Sequence, residues 1–246
     1  LGTRKLGHSG TLDPMATGVL PVFVGRATRG VEFFEHAEKT YETELLLGVA
    51  TDTEDTTGTV LFRREVSVTP EQLTAVLERF RGEIMQIPPM YSALKVNGQK
   101  LCDLARKGRQ VDRQPRPVTI HELTLLSREG DTLRLRVRCS KGTYIRTLCH
   151  DIGEKLGCGA AMETLLRTKV GRFTLDGAIT LAEAEAAMQS GEIGNKIFGI
   201  EEILAEYPRV CCTKEGDRLL ANGNPLVQAL VDAEEKDGWV RMCNSE

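Results

Sequence analysis

The sequence predicts a fold of the α+β class, because patterns typical of strands and patterns typical of amphipathic helices both occur in it. Between Thr132 and Cys139, apolar residues alternate with Arg134, Arg136 and Arg138, and this two-residue period is that of a half-buried strand. Two capping boxes, at 69–72 and 180–183, each precede a helical pattern. The 246 residues, of which 41% are hydrophobic and 27% charged, suffice for one sizeable core and a small appendage.

The other elements follow from local patterns along the chain. Strands are predicted at Val19–Val24 and at Tyr41–Leu47, where alternate residues starting with Tyr41 share one face. Helices are predicted from the first capping box to Gly82, from Lys100 to Lys107 before Gly108, from Ile145 to Gly157, and from the second capping box to about Met188.

The pattern changes after Tyr207, where short strand-like pieces surround an Asn-Gly turn at Asn222-Gly223. This change indicates the start of a small β-rich domain. The sequence therefore predicts two domains, 1–206 and 207–246.

The stretch from Gly7 to Pro21 has the features expected of a catalytic loop. Its three glycines permit backbone conformations that other residues avoid, and its two prolines restrict the backbone. It contains a single carboxylate, Asp13, and the only other titratable side chain is His8. A lone carboxylate on a stiff turn suits a nucleophile or a base. The alternative is an aspartate that caps a helix beginning at Pro14.

Charge is unevenly distributed along the chain, although the net charge is only −3. Seven cations and two acids lie between Lys95 and Arg116, and five cations without an acid lie between Arg134 and Arg146. Phosphate binding depends on such local clusters rather than on the total charge. We interpret Lys95, Arg106 and Lys141 as RNA-binding residues, with a solvated surface as the alternative.

Metal sites and disulfides are not predicted. Asp52, Glu54 and Asp55 resemble the start of a calcium loop, but the glycine falls at the seventh place and Arg63 stands at the twelfth, so we predict a turn. Seven irregularly spaced cysteines without a Cys-x-x-Cys pair indicate reduced thiols and a cytoplasmic protein. No apolar run is long enough to span a membrane.

Three motifs in this chain resemble those of one enzyme family. The stretches GHSGTLDPMATGVL (7–20), PPMYSALKVNG (88–98) and CSKGTYIRTL (139–148) are similar, in order, to motifs of the TruB family, the tRNA pseudouridine-55 synthases. The likeness extends from about Leu1 to Phe173. Members of the family carry a further segment with an Asp-Lys-Pro motif before this point, so we expect an N-terminal segment to be missing here.

The resemblance implies the fold and the reaction. The fold would be that of pseudouridine synthases, a central mixed, largely antiparallel sheet flanked by helices, followed by part of a PUA-like RNA-binding domain. The reaction would isomerise uridine 55 in the T-loop of tRNA: the bond from C1′ to N1 breaks, the uracil turns, and C5 joins C1′. The family needs neither a metal nor another cofactor, and we expect a monomer that binds the tRNA T-arm.

The resemblance also assigns roles to single residues. Asp13 would be the catalytic carboxylate, Arg146 its partner, and Tyr41 the ring against the uracil that takes the C5 proton. Tyr144 and Leu165 would line the uracil pocket, and His8 would enter the T-loop stack. Without the resemblance, each of these residues also fits an ordinary core or surface position.

Arg146 has a further reason to pair with an anion. It lies in the first turn of a predicted helix, off the apolar stripe, where the helix dipole disfavours a cation.

Two positions depart from the family pattern: Cys102 replaces a tyrosine, and Leu166 replaces the first arginine of Leu-Arg-Arg-Thr, which removes a phosphate contact.

Three other classes of protein are alternatives to a pseudouridine synthase. An aspartyl phosphatase needs a second aspartate where Met15 stands. A hydrolase would use Cys149 or Cys139 with His150. Cys149 cannot pair directly with His150, because adjacent helical side chains point about 100° apart. A module that binds and folds tRNA without a reaction remains as the alternative to the enzyme.

Overall fold

The computed structural model describes residues 2–232 and 238–245. It divides into two compact units, Leu1–Ala178 and Ile179–Glu246. The two domains expected from the sequence, 1–206 and 207–246, remain a prediction. In the described part of the chain, no helix is long and apolar enough to cross a membrane.

The first unit contains most of the regular structure. Its strands are β1 (Leu6–His8), β2 (Thr17–Gly18), β3 (Val22–Val24), β4 (Lys39–Leu47), β5 (Val49–Thr51), β6 (Val60–Arg63), β7 (Gly82–Gln86), β8 (Lys95–Val96), β9 (Gln99–Lys100), β10 (Arg116–Glu129), β11 (Thr132–Cys139), β12 (Ala160–Val170) and β13 (Phe173–Thr174). Its helices are α1 (Val31–Glu35), α2 (Pro70–Arg79), α3 (Leu101–Ala105) and α4 (Ile145–Leu156).

A seven-stranded sheet forms the centre of this unit. The strand order is β13-β12-β4-β11-β10-β7, all neighbours are antiparallel, and β2 pairs in parallel with β12. This is the mixed, largely antiparallel sheet flanked by helices that the family resemblance implies, so the predicted fold class is confirmed.

The core lies between one face of the sheet and helices α2 and α4. Leu45, Leu133 and Leu135 of the sheet are fully buried in one cluster with Leu73 of α2 and Leu148 of α4. Burial of each such side chain contributes about 1.5–3 kcal/mol. The alternation in β4 and β11 matches the prediction, because a strand with one buried face needs an apolar residue at every second position.

The three arginines of β11 share the other face of the sheet, as the period of two predicts. Arg134 and Arg136 both bind Glu42 of β4, at 2.7 and 2.9 Å, and Arg138 binds Glu38 at 2.8 Å. These cations are therefore paired with carboxylates of the neighbouring chain segment.

Helix ends agree with the local signals. Both capping boxes form, at Thr69 with Gln72 and at Thr180 with Glu183, and α4 ends at Gly157 in the left-handed conformation. The strand expected at Val19–Val24 is shorter, because only Val22–Val24 pairs with β1.

The second unit contains strands β14 (Arg209–Cys212), β15 (Val231–Asp232) and β16 (Arg241–Cys243), which form a sheet in the order β15-β14-β16. Its helices are α5 (Leu181–Ser190), α6 (Ile200–Ile203) and α7 (Lys214–Ala221). The turn predicted at Asn222-Gly223 ends helix α7 instead of joining two strands. Glycine at positive φ suits both roles, so the local signal could not distinguish them.

Candidate active site

The loop that carries Asp13 connects β1 to β3 and is tied to the body of the sheet. The N–H of Ser9 donates to the carbonyl of Pro21 at 3.1 Å, and a tight turn follows Asp13, with Ala16 N–H donating to Asp13 O at 2.9 Å. No helix begins at Pro14, so the alternative of a helix-capping aspartate is wrong.

The far end of the loop lies directly on β12. Gly18 has φ +106°, and a Cβ there would collide with the carbonyl oxygen of Arg167. Thr17 and Gly18 pair in parallel with Leu166 and Arg167. Glycine at position 18 is therefore required both by its backbone conformation and by the close approach of β12.

Arg167 holds both ends of this loop from beneath. Its side chain is 1% exposed, and its Nε donates to Val19 O at 2.7 Å while Nη2 donates to Gly10 O at 3.0 Å. Arg167 belongs to the Leu-Leu-Arg-Thr stretch (165–168), and its family motif predicts a phosphate contact rather than this buried position. One sequence feature indicates that Arg167 is buried: it lies two residues after the buried Leu165, and alternate residues of this strand face the same side.

Asp13 and Arg146 form a bidentate ion pair. Arg146 Nε donates to Asp13 Oδ2 at 2.8 Å, and Nη2 donates to Oδ1 at 3.0 Å. The arginine side chain is 4% exposed and the aspartate side chain 32% exposed. The buried guanidinium thus fixes a carboxylate that remains open to a ligand.

Arg146 has further partners from two other segments. It donates to Tyr91 O at 2.8 Å and to Thr53 O at 3.1 Å, and its Nε lies 3.9 Å from Asp55 Oδ2. Asp55 is buried, and its other oxygen accepts hydrogen bonds from Thr53 Oγ1 and from Thr57. The segment predicted as a turn therefore supplies a second carboxylate beside Arg146, which its local sequence pattern does not predict.

A cleft opens beside the ion pair. It is open to solvent and is lined by Thr11, Leu12, Asp13, Tyr41, Thr143, Tyr144, Ile145 and Leu165. The three residues predicted for the uracil pocket, Tyr41, Tyr144 and Leu165, lie on β4, before α4 and on β12. The fold brings them together with Asp13 although they are far apart in the sequence.

Both tyrosines of the cleft are neutral at physiological pH. Burial raises the pKa of Tyr41 to about 12, and the nearby guanidinium of Arg167 opposes this shift. Burial also raises the pKa of Tyr144, against the effects of Ser92 and Arg146. The cleft therefore offers two phenol rings and the carboxylate of Asp13.

The predicted RNA-binding residues lie outside the lining of the cleft. His8 is exposed on β1, and Lys141 is exposed with its Nζ 3.1 Å from His36 Nε2. Lys95 and Arg106 are exposed on the segment 88–111, whose small apolar cluster includes Met90, Leu101 and Leu104. Cys102 is partly buried in α3, and Leu166 is partly buried on β12.

The fold of this chain is similar to that of chains in solved protein and RNA–protein complexes. The chain superposes with a TM-score of 0.74 and 28% identity on a chain of "Crystal Structure of a Cbf5-Nop10-Gar1 Complex", covering 98% of this chain and 67% of that one. A second match, to "Structure of H/ACA RNP bound to a substrate RNA containing 2'-deoxyuridine", has a TM-score of 0.71 and 26% identity, covering 98% and 66%. The fold and the site together define a catalytic domain of the pseudouridine-synthase class.

Sequence comparisons narrow this class to one family. The family model described as "TruB family pseudouridylate synthase (N terminal domain)" matches residues 1–145. The model described as "tRNA pseudouridylate synthase B C-terminal domain" matches residues 146–204. Relatives named tRNA pseudouridine synthase B include those of Ralstonia pickettii, 47% identical over 96% of this chain and 76% of the relative, and of Pseudomonas syringae, 54% identical over 100% and 81%. The chain belongs to the TruB family of pseudouridylate synthases.

Proposed function

We propose that this chain isomerises uridine 55 in the T-loop of tRNA to pseudouridine, with Asp13 as the catalytic carboxylate. The observation that supports this proposal is the bidentate pairing of Asp13 with the buried Arg146 at the edge of a cleft that contains Tyr41 and Tyr144. Family membership and the names of the relatives support tRNA as the substrate.

The reaction is a rearrangement within one nucleotide. The bond between C1′ and N1 breaks, the uracil rotates, and C5 forms a new bond to C1′. C5 then loses its proton and N1 gains one, so no atom or electron is added overall. A carboxylate is the nucleophile or base that this cleft offers for the first step.

Arg146 gives the carboxylate a fixed direction. Two hydrogen bonds from one planar guanidinium hold both oxygens of Asp13, and the arginine is itself held by the carbonyls of Tyr91 and Thr53. Such preorganisation lowers the cost of bringing the reacting groups together. The partial exposure of Asp13 leaves it accessible to the nucleoside.

The target base must leave its stack to reach this cleft. Base flipping costs a few kcal/mol, and stacking on an aromatic ring returns about 1–3 kcal/mol per base. Tyr41 provides such a ring, with Tyr144 and Leu165 on the walls of the same cleft. Because Tyr41 is a neutral phenol, it takes the C5 proton while passing its own O–H proton on to solvent. This transfer follows the joining of C5 to C1′, when loss of the C5 proton restores the conjugated ring.

The RNA is held by residues around the cleft. We assign phosphate contacts to the exposed cations Lys95, Arg106 and Lys141, and stacking within the T-loop to His8. The same proposal includes a monomeric state, which light scattering tests, and a reaction without metal, which addition of a chelator tests. It also includes a cytoplasmic location, which cell fractionation tests.

Tritium release from tRNA labelled at C5 of uridine tests the proposal directly. Asp13→Asn keeps the shape of the side chain and removes its charge, so we expect no release while tRNA binding in a filter assay persists. Release by Asp13→Asn at the wild-type rate would refute the role of Asp13. Binding without release by the wild-type chain would favour the tRNA-binding module instead.

A further inference from the structure

The buried side chain of Gln86 forms hydrogen bonds with both backbone polar groups of Tyr144. Gln86, the last residue of β7, donates from Nε2 to Tyr144 O at 3.0 Å, and its Oε1 accepts the N–H of Tyr144 at 2.8 Å. The Gln86 side chain is 2% exposed. The amide therefore pairs with both backbone polar groups of one residue that lines the cleft.

Tyr144 connects two parts of the active site. It is the residue before α4, in an extended conformation, and it provides no side-chain cap for the helix. Its carbonyl also accepts the N–H of Leu148 at 3.0 Å, in the first turn of α4. Arg146 follows two residues later, so the position of the Tyr144 backbone affects both the wall of the cleft and the guanidinium that holds Asp13.

Packing alone does not explain an amide at position 86. A buried amide is costly unless its groups are hydrogen-bonded, and a methionine of similar volume would fill this space without that requirement. Both polar atoms of the Gln86 amide are directed to Tyr144. The position is suited to holding one backbone conformation rather than to filling space.

We propose that Gln86 is a positioning residue of the isomerisation. Its amide holds the Tyr144 backbone, and through it the Tyr144 ring and the first turn of α4, in the geometry that Asp13 and the flipped uridine require. This inference rests on the proposed function. A displacement of about 1 Å in an active site can cost about 100-fold in rate, so a clamp of this kind affects turnover without touching the substrate.

Gln86→Met tests the clamp at nearly constant volume. We expect the single-turnover rate of tritium release to fall about 10- to 100-fold, while tRNA affinity stays close to the wild type. The unfolding temperature should fall by a few degrees, because the Tyr144 N–H loses its acceptor. Hydrogen exchange of the Tyr144 amide should become faster, because its acceptor is gone. This last measurement does not depend on activity.

Gln86→Glu tests the hydrogen-bond pattern itself through pH. A protonated carboxyl has one donor and one acceptor, so it can bind Tyr144 as the amide does. A carboxylate can only accept, and its charge would face the Tyr144 carbonyl. Burial raises the pKa of a carboxyl. The rate relative to the wild type should therefore be near one at acidic pH and fall towards that of Gln86→Met as the pH rises.

The exposed Gln189 of α5 provides the matched control, since Gln189→Glu adds the same charge and should follow the wild-type pH profile. Wild-type rates for Gln86→Met, or a constant ratio of Gln86→Glu to wild type across pH, would overturn the inference alone. Failure of both variants to fold would also overturn it, by making Gln86 a requirement of folding. A wild-type chain without tritium release would instead overturn the proposed function, and the inference with it.

Discussion

Arg167 and Val19 are joined by two reciprocal hydrogen bonds. The guanidinium Nε of Arg167 donates to the carbonyl of Val19 at 2.7 Å, and the N–H of Val19 donates to the carbonyl of Arg167 at 2.8 Å. A side chain and a backbone thus hold the same point, at the end of the loop that carries Asp13. The conformation of this loop depends on contacts with β12 that are about 150 residues away in the sequence.

Arg167→Leu should loosen the loop and destabilise the fold. The change leaves the carbonyls of Val19 and Gly10 without a donor, and buried hydrogen bonds to charged groups contribute about 1.5–3 kcal/mol each. We expect a loss of about 3–6 kcal/mol in the free energy of unfolding, the sum for these two hydrogen bonds. Urea denaturation measures it, with the exposed Arg26→Leu as control; equal losses in the two variants would contradict the anchoring role.

Arg146→Lys separates charge from geometry. A lysine keeps the positive charge but cannot donate to both oxygens of Asp13 as the guanidinium does. We expect the single-turnover rate to fall at least about 100-fold, as for other displaced catalytic groups, while tRNA binding persists. Arg146→Ala should cut turnover at least as strongly, because it leaves Asp13 unpaired. A lysine variant with wild-type turnover would show that the bidentate geometry is dispensable.

Asp55→Asn should weaken the site less than a change at Asp13 or Arg146. The asparagine keeps an oxygen for Thr53 and Thr57 but removes the negative charge 3.9 Å from Arg146. We expect a rate about 10-fold below wild type, the factor that corresponds to about 1.4 kcal/mol. Asp52→Asn, in the same turn and exposed, is the control. Equal rates for the two variants would exclude a role for the second carboxylate.

Tyr41→Phe should remove part of the loss of stability at alkaline pH. Tyr41 has a pKa of about 12 in the folded chain and an ordinary value of 10.0, so the unfolded chain releases the phenol proton first. The contribution of Tyr41 is therefore fully present below pH 10 and is lost as the pH rises through 10 towards 12.

At pH 10.5 this linkage amounts to about 1 kcal/mol of lost stability in the wild type relative to Tyr41→Phe. Urea denaturation at pH 8.5 and 10.5 measures the difference between the two proteins. Comparing them cancels the buried thiols of Cys139 and Cys149, whose pKa values burial also raises. Parallel losses in both proteins would show that Tyr41 titrates normally.

Lys95→Ala and Arg106→Ala should weaken tRNA binding without changing the chemical step. Each removed phosphate contact lowers the slope of the logarithm of affinity against the logarithm of salt concentration by about 1. The single-turnover rate at saturating tRNA should stay at the wild-type value. Lys155→Ala, at an exposed residue near the end of α4, is the control. An unchanged salt slope in the Lys95→Ala and Arg106→Ala variants would show that the RNA does not contact these two residues.

Local periodicity explains which elements were predictable. The bounds of β11, Thr132–Cys139, follow from the alternation of arginine with apolar residues, and α4 follows from its apolar stripe and the glycine that ends it. Each of these patterns lies within a dozen neighbouring residues. At Asn222-Gly223 the local pattern suits both a hairpin and a helix end. The predicted turn is present, but it follows helix α7 rather than a strand.

The sequence by itself determined the α+β class, the family and the candidate residues Asp13, Tyr41, Arg146, Tyr144 and Leu165, because motifs and periodicity are local properties of the chain. Tertiary structure alone decided that Asp13, Tyr41, Tyr144 and Leu165 line one cleft and that Arg146 pairs with Asp13.

Tertiary structure also decided which groups surround the candidate residues. Asp55 lies beside the Arg146 guanidinium, Arg167 binds the loop that carries Asp13, and Gln86 binds the backbone of Tyr144. These partners come from strands and turns that are distant in the sequence. The physical reason is that the register of the sheet sets such contacts, and no short stretch of sequence specifies that register.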